Sequence, residues 1–109
     1  MAAHYDLKRS GTQYMFNLRG ANNEVVLTSE RYVSKQGALG GIASVKQNAP
    51  FDSRYRRLTN AAYQPYFTLT AANGETIGTS ESYSSATARD AGITWVKVNA
   101  PGAPIQDNT

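Results

Sequence analysis

The chain predicts an α+β fold of two pseudo-symmetric halves, and three observations lead there: an internal repeat, period-two apolar alternation early in each copy, and helical apolar spacing late in each copy. Residues Tyr14 to Pro50 return without a gap as Pro65 to Pro101 at a shift of 51 positions. The shift pairs Phe16 with Phe67, Leu18 with Leu69, and Ala21, Asn22 and Glu24 with Ala72, Asn73 and Glu75. A repeat of about 50 residues makes the half-chain the unit to explain, and residues kept in both copies are expected to do one job twice. That job reads as structural.

At 109 residues the chain suits one compact domain, whereas a single copy would bury too little apolar surface to offset its chain entropy. The copies should share a core. We read one domain over 1–109, with repeat one at 4–58, repeat two at 54–107, and a strand near 53–58 serving both.

The first strand is predicted at His4 to Lys8, where Tyr5 and Leu7 alternate with polar neighbours, followed by a turn over Arg9 to Thr12. A second strand places Tyr14, Phe16 and Leu18 on one face, because strand side chains point alternately to the two sides. Ala21-Asn22-Asn23 and Ala72-Asn73-Gly74 read as tight turns, since Asn and Gly tolerate positive φ. A third strand follows each turn, Glu24 to Ser29 and Glu75 to Ser80, completing an antiparallel meander. Here Val26 and Ile77 share one parity, while Val25, Leu27, Thr76 and Gly78 take the other.

From Ser34 and Ser85 the period changes to about 3.6. Ala38, Gly41, Ile42, Val45 and Ala49 fall on one helical face, as do Gly92, Ile93, Val96 and Ala100. These helices should lie on the sheet and end near Pro50 and Pro101, because a residue preceding proline is pushed out of the helical region. Arg54 to Leu58 is expected to be a strand joining both units, with Ala103 to Gln106 in the equivalent place and 107–109 frayed.

The absence of cysteine excludes disulfides, thiolate metal sites and cysteine nucleophiles. No apolar run approaches the roughly 20 residues of a membrane span, and the N-terminus lacks the pattern of a secretory signal. A cytoplasmic, cofactor-free protein is expected. The net charge of +3 is small beside the dense patches of dedicated nucleic-acid binders.

The repeated string Ala-Asn-(Asn/Gly)-Glu, then Thr-Ser-Glu-x-Tyr-x-Ser, then Gly-Ile-x-x-Val-Lys-x-Asn-Ala-Pro closely resembles the tandem-repeat bacterial proteins of the YegP-like, or UPF0339, family, built from the domain of unknown function DUF1508. The resemblance runs from about Tyr5 to Pro101. It implies two β-β-β-α-β units forming one continuous antiparallel sheet, with C-terminal strands exchanged between units and both helices on one face. It implies no activity, since the family has none established. Asn23 departs from the usual turn glycine, Ala86 stands where copy one has Lys35, and Trp95 stands opposite Ser44.

Thr28-Ser29-Glu30-x-Tyr32-x-Ser34 and its copy Thr79 to Ser85 hold the ingredients of acid/base chemistry, but no second carboxylate or histidine lies at suitable spacing. The structural reading is favoured: Ser34 and Ser85 as helix caps, Tyr32 and Tyr83 closing the core, and Glu30 and Glu81 near the positive helix ends. His4 is the only histidine and lacks partners for a metal site or a triad. Gly37 to Gly41 lacks the Lys-Ser/Thr of a phosphate loop. Neither catalytic nor metal-binding residues are assigned.

Arg54, Arg56 and Arg57 form the densest basic cluster. The sheet face away from the helices is expected to carry Met15, Asn17, Arg19, Val25, Leu27, Tyr66, Thr68 and Thr70, a workable platform for stacking bases and neutralising phosphates. Trp95 lies on the flank of its helix, where it covers a sheet edge or the junction between repeats, or anchors a partner. The candidate partner-binding residues are therefore Arg19, Arg54, Arg56, Arg57, Tyr66 and Trp95. The leading functional expectation is a monomeric, non-catalytic binding or interaction module of unknown partner. A weak nucleic-acid binder and an enzyme using Ser29, Glu30 and Tyr32 are the alternatives.

Overall fold

The computed structural model describes residues 3–109. Strands β1 (His4–Ser10), β2 (Gln13–Arg19) and β3 (Val25–Ser29) precede helix α1 (Lys35–Asn48). Strands β4 (Tyr55–Thr59), β5 (Pro65–Thr70) and β6 (Thr76–Ser80) precede helix α2 (Ala86–Asn99), and β7 (Ile105–Asp107) follows. All seven strands form one sheet in the order β4-β5-β6-β3-β2-β1-β7. The pseudo-twofold therefore passes between β6 and β3, whose antiparallel pairing of Thr28 with Thr79 joins equivalent residues of the two copies.

The strand after each helix crosses to the other half. The chain leaves α1 to form β4 beside β5, and leaves α2 to form β7 beside β1. The sheet is mixed rather than wholly antiparallel, because β7 runs parallel to β1. The end of the chain is also better held than expected: Asp107 belongs to β7, Lys35 pairs with it, and the Asn108 N–H donates to the Leu7 carbonyl.

The turns follow the left-handed preference of their residues. Asn22 and Asn23 adopt φ of 59° and 61°, and Gly74 adopts 87° at the second copy's turn. Ser34 and Ser85 accept hydrogen bonds from the Gly37 and Ala88 N–H groups at 3.0 and 3.1 Å, capping α1 and α2 as expected. Neither helix has an acid in its first turn, so Glu30 and Glu81 stay outside it.

The core lies between the sheet and the helices, and its largest members come in repeat-related pairs. Phe16 and Phe67, Leu18 and Leu69, Ile42 and Ile93, and Val45 and Val96 are all buried. Each such side chain contributes about 1.5–3 kcal/mol. Leu27 faces this core, not the open face: it pairs with Leu18, and directly opposed residues share a face. Arg54 ends a short 3-10 turn, Asp52–Arg54, so the strand begins one residue later than expected.

Candidate functional site

The repeated hydroxyl block serves the fold. Ser29 Oγ accepts from the Phe16 N–H at 2.9 Å and donates to the Glu30 carbonyl at 2.7 Å, and Ser80 repeats this with Phe67 and Glu81 at 2.9 and 2.8 Å. Tyr32 stacks on Phe16 with ring centroids 6.4 Å apart, and Tyr83 stacks on Phe67 at 6.2 Å. Each phenol lies beneath its own helix against Gly41 or Gly92, where an added Cβ would collide with the hydroxyl. Burial, then the charge of Glu30, raises the Tyr32 pKa.

The predicted basic cluster is divided between two faces. Arg56 and Arg57 are successive strand residues: Arg56 pairs with Thr68 on the open face, while Arg57 pairs with Phe67 on the helix side and bridges Asp52 and Asp90 at 3.0 and 3.3 Å. Arg54 donates to Asn48 Oδ1 at 2.9 Å. Arg19, on the distant β2, bonds Asp6 at 3.1 Å. Tyr66 pairs with Leu58 on the open face, and Trp95 lies on the helix side against Gly20 of the first repeat. Trp95 thus covers the repeat junction. The six residues do not form one patch.

Along the open face, a polar row crosses six strands: Asp6, Asn17, Thr28, Thr79, Thr68 and Arg56. Asn17 Nδ2 donates to Thr28 Oγ1 at 3.0 Å. The repeat-related Thr68 has no amide to offer, and its buried hydroxyl has no hydrogen-bond partner among the described residues.

The helix side carries a feature that sequence reasoning missed. Two adjoining hollows of about 390 and 350 Å³ share Glu24, Val26 and Tyr83, the first extending to Glu81 and Ser82 and the second to Gly20 and Trp95. Glu24 comes from one repeat and Glu81 from the other. Burial chiefly, then the charges of Glu24 and Glu81, raise the Tyr83 pKa. The available signal was mismatch between copies: Ser82 stands opposite Arg31, and Trp95 opposite Ser44.

Among the described residues, no group of three or more His, Cys, Asp or Glu side chains forms a candidate metal site, and no helix is long and apolar enough to cross a membrane. The fold and its doubled framework define a tandem-repeat α+β protein with one shared sheet. The family model described as a domain of unknown function, DUF1508, matches twice, at residues 10–55 and 60–107. The chain belongs to this family, the UPF0339 or YegP-like proteins. It is 60% identical over 109 residues to a UPF0339 protein of Bordetella pertussis, covering 100% of this chain and 98% of the relative. It is 47% identical over 107 residues to YegP of Yersinia pestis, covering 97% and 96%. The solution NMR structure of a UPF0339 protein from Shewanella oneidensis superposes with a TM-score of 0.90 at 45% identity, covering 98% of this chain and 92% of that one. That of yegP from Escherichia coli, described as a protein of unknown function, gives 0.91 at 44% identity, covering 100% and 95%.

Proposed function

We propose that this protein is a non-catalytic binding or interaction module, cytoplasmic and monomeric, whose internal duplication supplies the partner a one-repeat chain would need. One observation carries this reading: the duplicated serines are committed to backbone groups and the duplicated tyrosines to packing beneath their helices. A hydroxyl already held between an N–H and a carbonyl is a poor nucleophile, because activation needs a base within hydrogen-bond reach. The groups left unengaged belong to surfaces.

The test is affinity capture from native cytoplasm with the immobilised protein, read by quantitative mass spectrometry against an unrelated small domain of equal net charge. A specifically enriched partner supports the reading. Enrichment of nothing beyond the control domain removes it.

A nucleic-acid version rests on Arg56 and Tyr66, which remain on the open face without an ion pair or side-chain hydrogen bond among the described residues. Phosphate contacts release counterions, so such binding must weaken steeply with salt. Titration into short RNA and DNA at low and moderate salt decides it: no signal, or a salt-insensitive one, eliminates the phosphate-driven version.

A further inference from the structure

The duplication supplies an internal control: features built from residues kept in both copies serve the fold, whereas features built from residues that differ are available for another role. The paired hollows combine the two kinds: Glu24, Glu81 and Tyr83 are kept as Glu75, Glu30 and Tyr32, whereas Trp95 and Ser82 have Ser44 and Arg31 as their repeat counterparts, so only here does a tryptophan stand beside the kept carboxylates.

We propose that the cleft bounded by Glu24, Glu81, Tyr83 and Trp95 binds an organic cation, a guanidinium or primary ammonium carried on a short alkyl stem. This inference rests on the reading of the protein as a binding module. Charge complementarity sets the ligand class. Among the described residues each aspartate forms an ion pair, while none of the four glutamates does, and two of those glutamates meet in this cleft. No lysine or arginine lines either hollow, although the chain carries a net charge of +3. Val26 provides an apolar floor for the stem, and the Tyr83 and Trp95 rings suit a cation.

The hollow beside the equivalent turn of the other half is charged differently. There the turn residues Ala71 to Asn73 border a hollow that also includes Ser44, Asn48 and Arg54. Arg54 places its guanidinium on Asn48 Oδ1 at 2.9 Å. That hollow holds a guanidinium and no carboxylate, whereas the cleft of Glu24 and Glu81 holds two carboxylates and no cation. An anionic ligand would be repelled by those carboxylates, and a neutral one would leave them unanswered.

Trp95 is the only tryptophan, so its emission reports on the cleft directly. Agmatine is titrated into the intact protein, with acetyl-arginine methylamide as the peptide-like probe and 1-pentanol as the neutral control. Saturable emission changes are expected with the cations and not with the alcohol. Tighter binding of agmatine points to a free amine, tighter binding of the arginine derivative to a peptide side chain. The double variant Glu24→Gln/Glu81→Gln should bind about tenfold more weakly, as the loss of two part-exposed charge contacts implies. The repeat-related Glu30→Gln/Glu75→Gln variant should stay within about twofold.

Absence of saturation by on the order of 10 mM cation, or equal weakening in both double variants, overturns the proposal. A cytoplasmic partner captured equally by the wild type and by Glu24→Gln/Glu81→Gln also removes this cleft as the binding site, while leaving the binding-module reading intact.

Discussion

The Tyr5 hydroxyl donates to the Ala100 carbonyl across 2.8 Å of space and 95 residues of chain, and the repeat-related Tyr55 hydroxyl donates at 2.7 Å to the Ala49 carbonyl, six residues before it. Each bond joins the first strand of one half to the end of the helix preceding a crossover strand, and satisfies a carbonyl left over at the helix terminus. Tyr5→Phe and Tyr55→Phe should each cost about 1–2 kcal/mol in urea denaturation, since a buried carbonyl loses its donor. Two variants each within experimental error of wild type would show that these bonds are not what interlocks the halves.

Burial raises both phenols above the ordinary tyrosine value, reinforced by Tyr55 at Tyr5 and by Asp52 at Tyr55. The folded chain therefore keeps protons that the unfolded chain releases above about pH 10, and this stabilisation, complete below that pH, falls by about 1.4 kcal/mol per tyrosine for each further pH unit. Stability measured from pH 9 upward should decline less steeply in Tyr5→Phe/Tyr55→Phe than in the wild type. Parallel curves would refute the assignment.

Gly41 and Gly40 are neighbours with opposite expectations. A Cβ at Gly41 meets the Tyr32 hydroxyl and the Phe16 ring, whereas one at Gly40 meets nothing within 4 Å. Gly41→Ala should lose about 1–3 kcal/mol through overpacking, and Gly40→Ala should gain up to about 1 kcal/mol from helix propensity. Thermal melts of the two variants shifting in the same direction would contradict this packing.

Asp52 receives Lys97 Nζ at 2.7 Å and Arg57 at 3.0 Å. These hydrogen bonds, the one from Lys97 first, hold its carboxyl at about 2. A depressed acid stabilises the fold above its unfolded pKa of about 4 and loses that contribution as pH falls through the folded value. Asp52→Asn should therefore flatten the acid side of the stability profile, and 1 M salt should shrink the difference, because the pair is exposed. An acid limb identical to the wild type's would remove Asp52 from the account.

The doubled meander, the helix faces and the serine caps were legible because each rests on local period or a local hydrogen bond, as Phe16 and Ser34 show. The division of Arg56 from Arg57 was legible in principle too, since successive strand residues face opposite ways. Leu27 was placed on the wrong face because Val25, Val26 and Leu27 are all apolar, so alternation is silent there and the pairing with Leu18 decides. The C-terminal strand was expected over Ala103 to Gln106, but its parallel direction was not, because side-chain pattern marks a strand without fixing which way it runs beside its neighbour. The acidic cleft combines Glu24 and Trp95 from different repeats, a contact that only the shared sheet creates.

Thr68 tests how far the two copies have diverged on the open face. Its Oγ1 is buried with no partner among the described residues, whereas Asn17 at the equivalent place donates to Thr28. A buried hydroxyl without a partner forfeits its hydration, so Thr68→Val should be neutral or stabilising by up to about 1 kcal/mol. Thr68→Asn offers Thr79 the donor that Asn17 gives Thr28, and by the pseudo-twofold it should match or exceed the valine variant. Urea denaturation distinguishes the outcomes: a loss above about 1 kcal/mol for Thr68→Val would mean that the hydroxyl holds an ordered water and that the polar row is continuous across both halves.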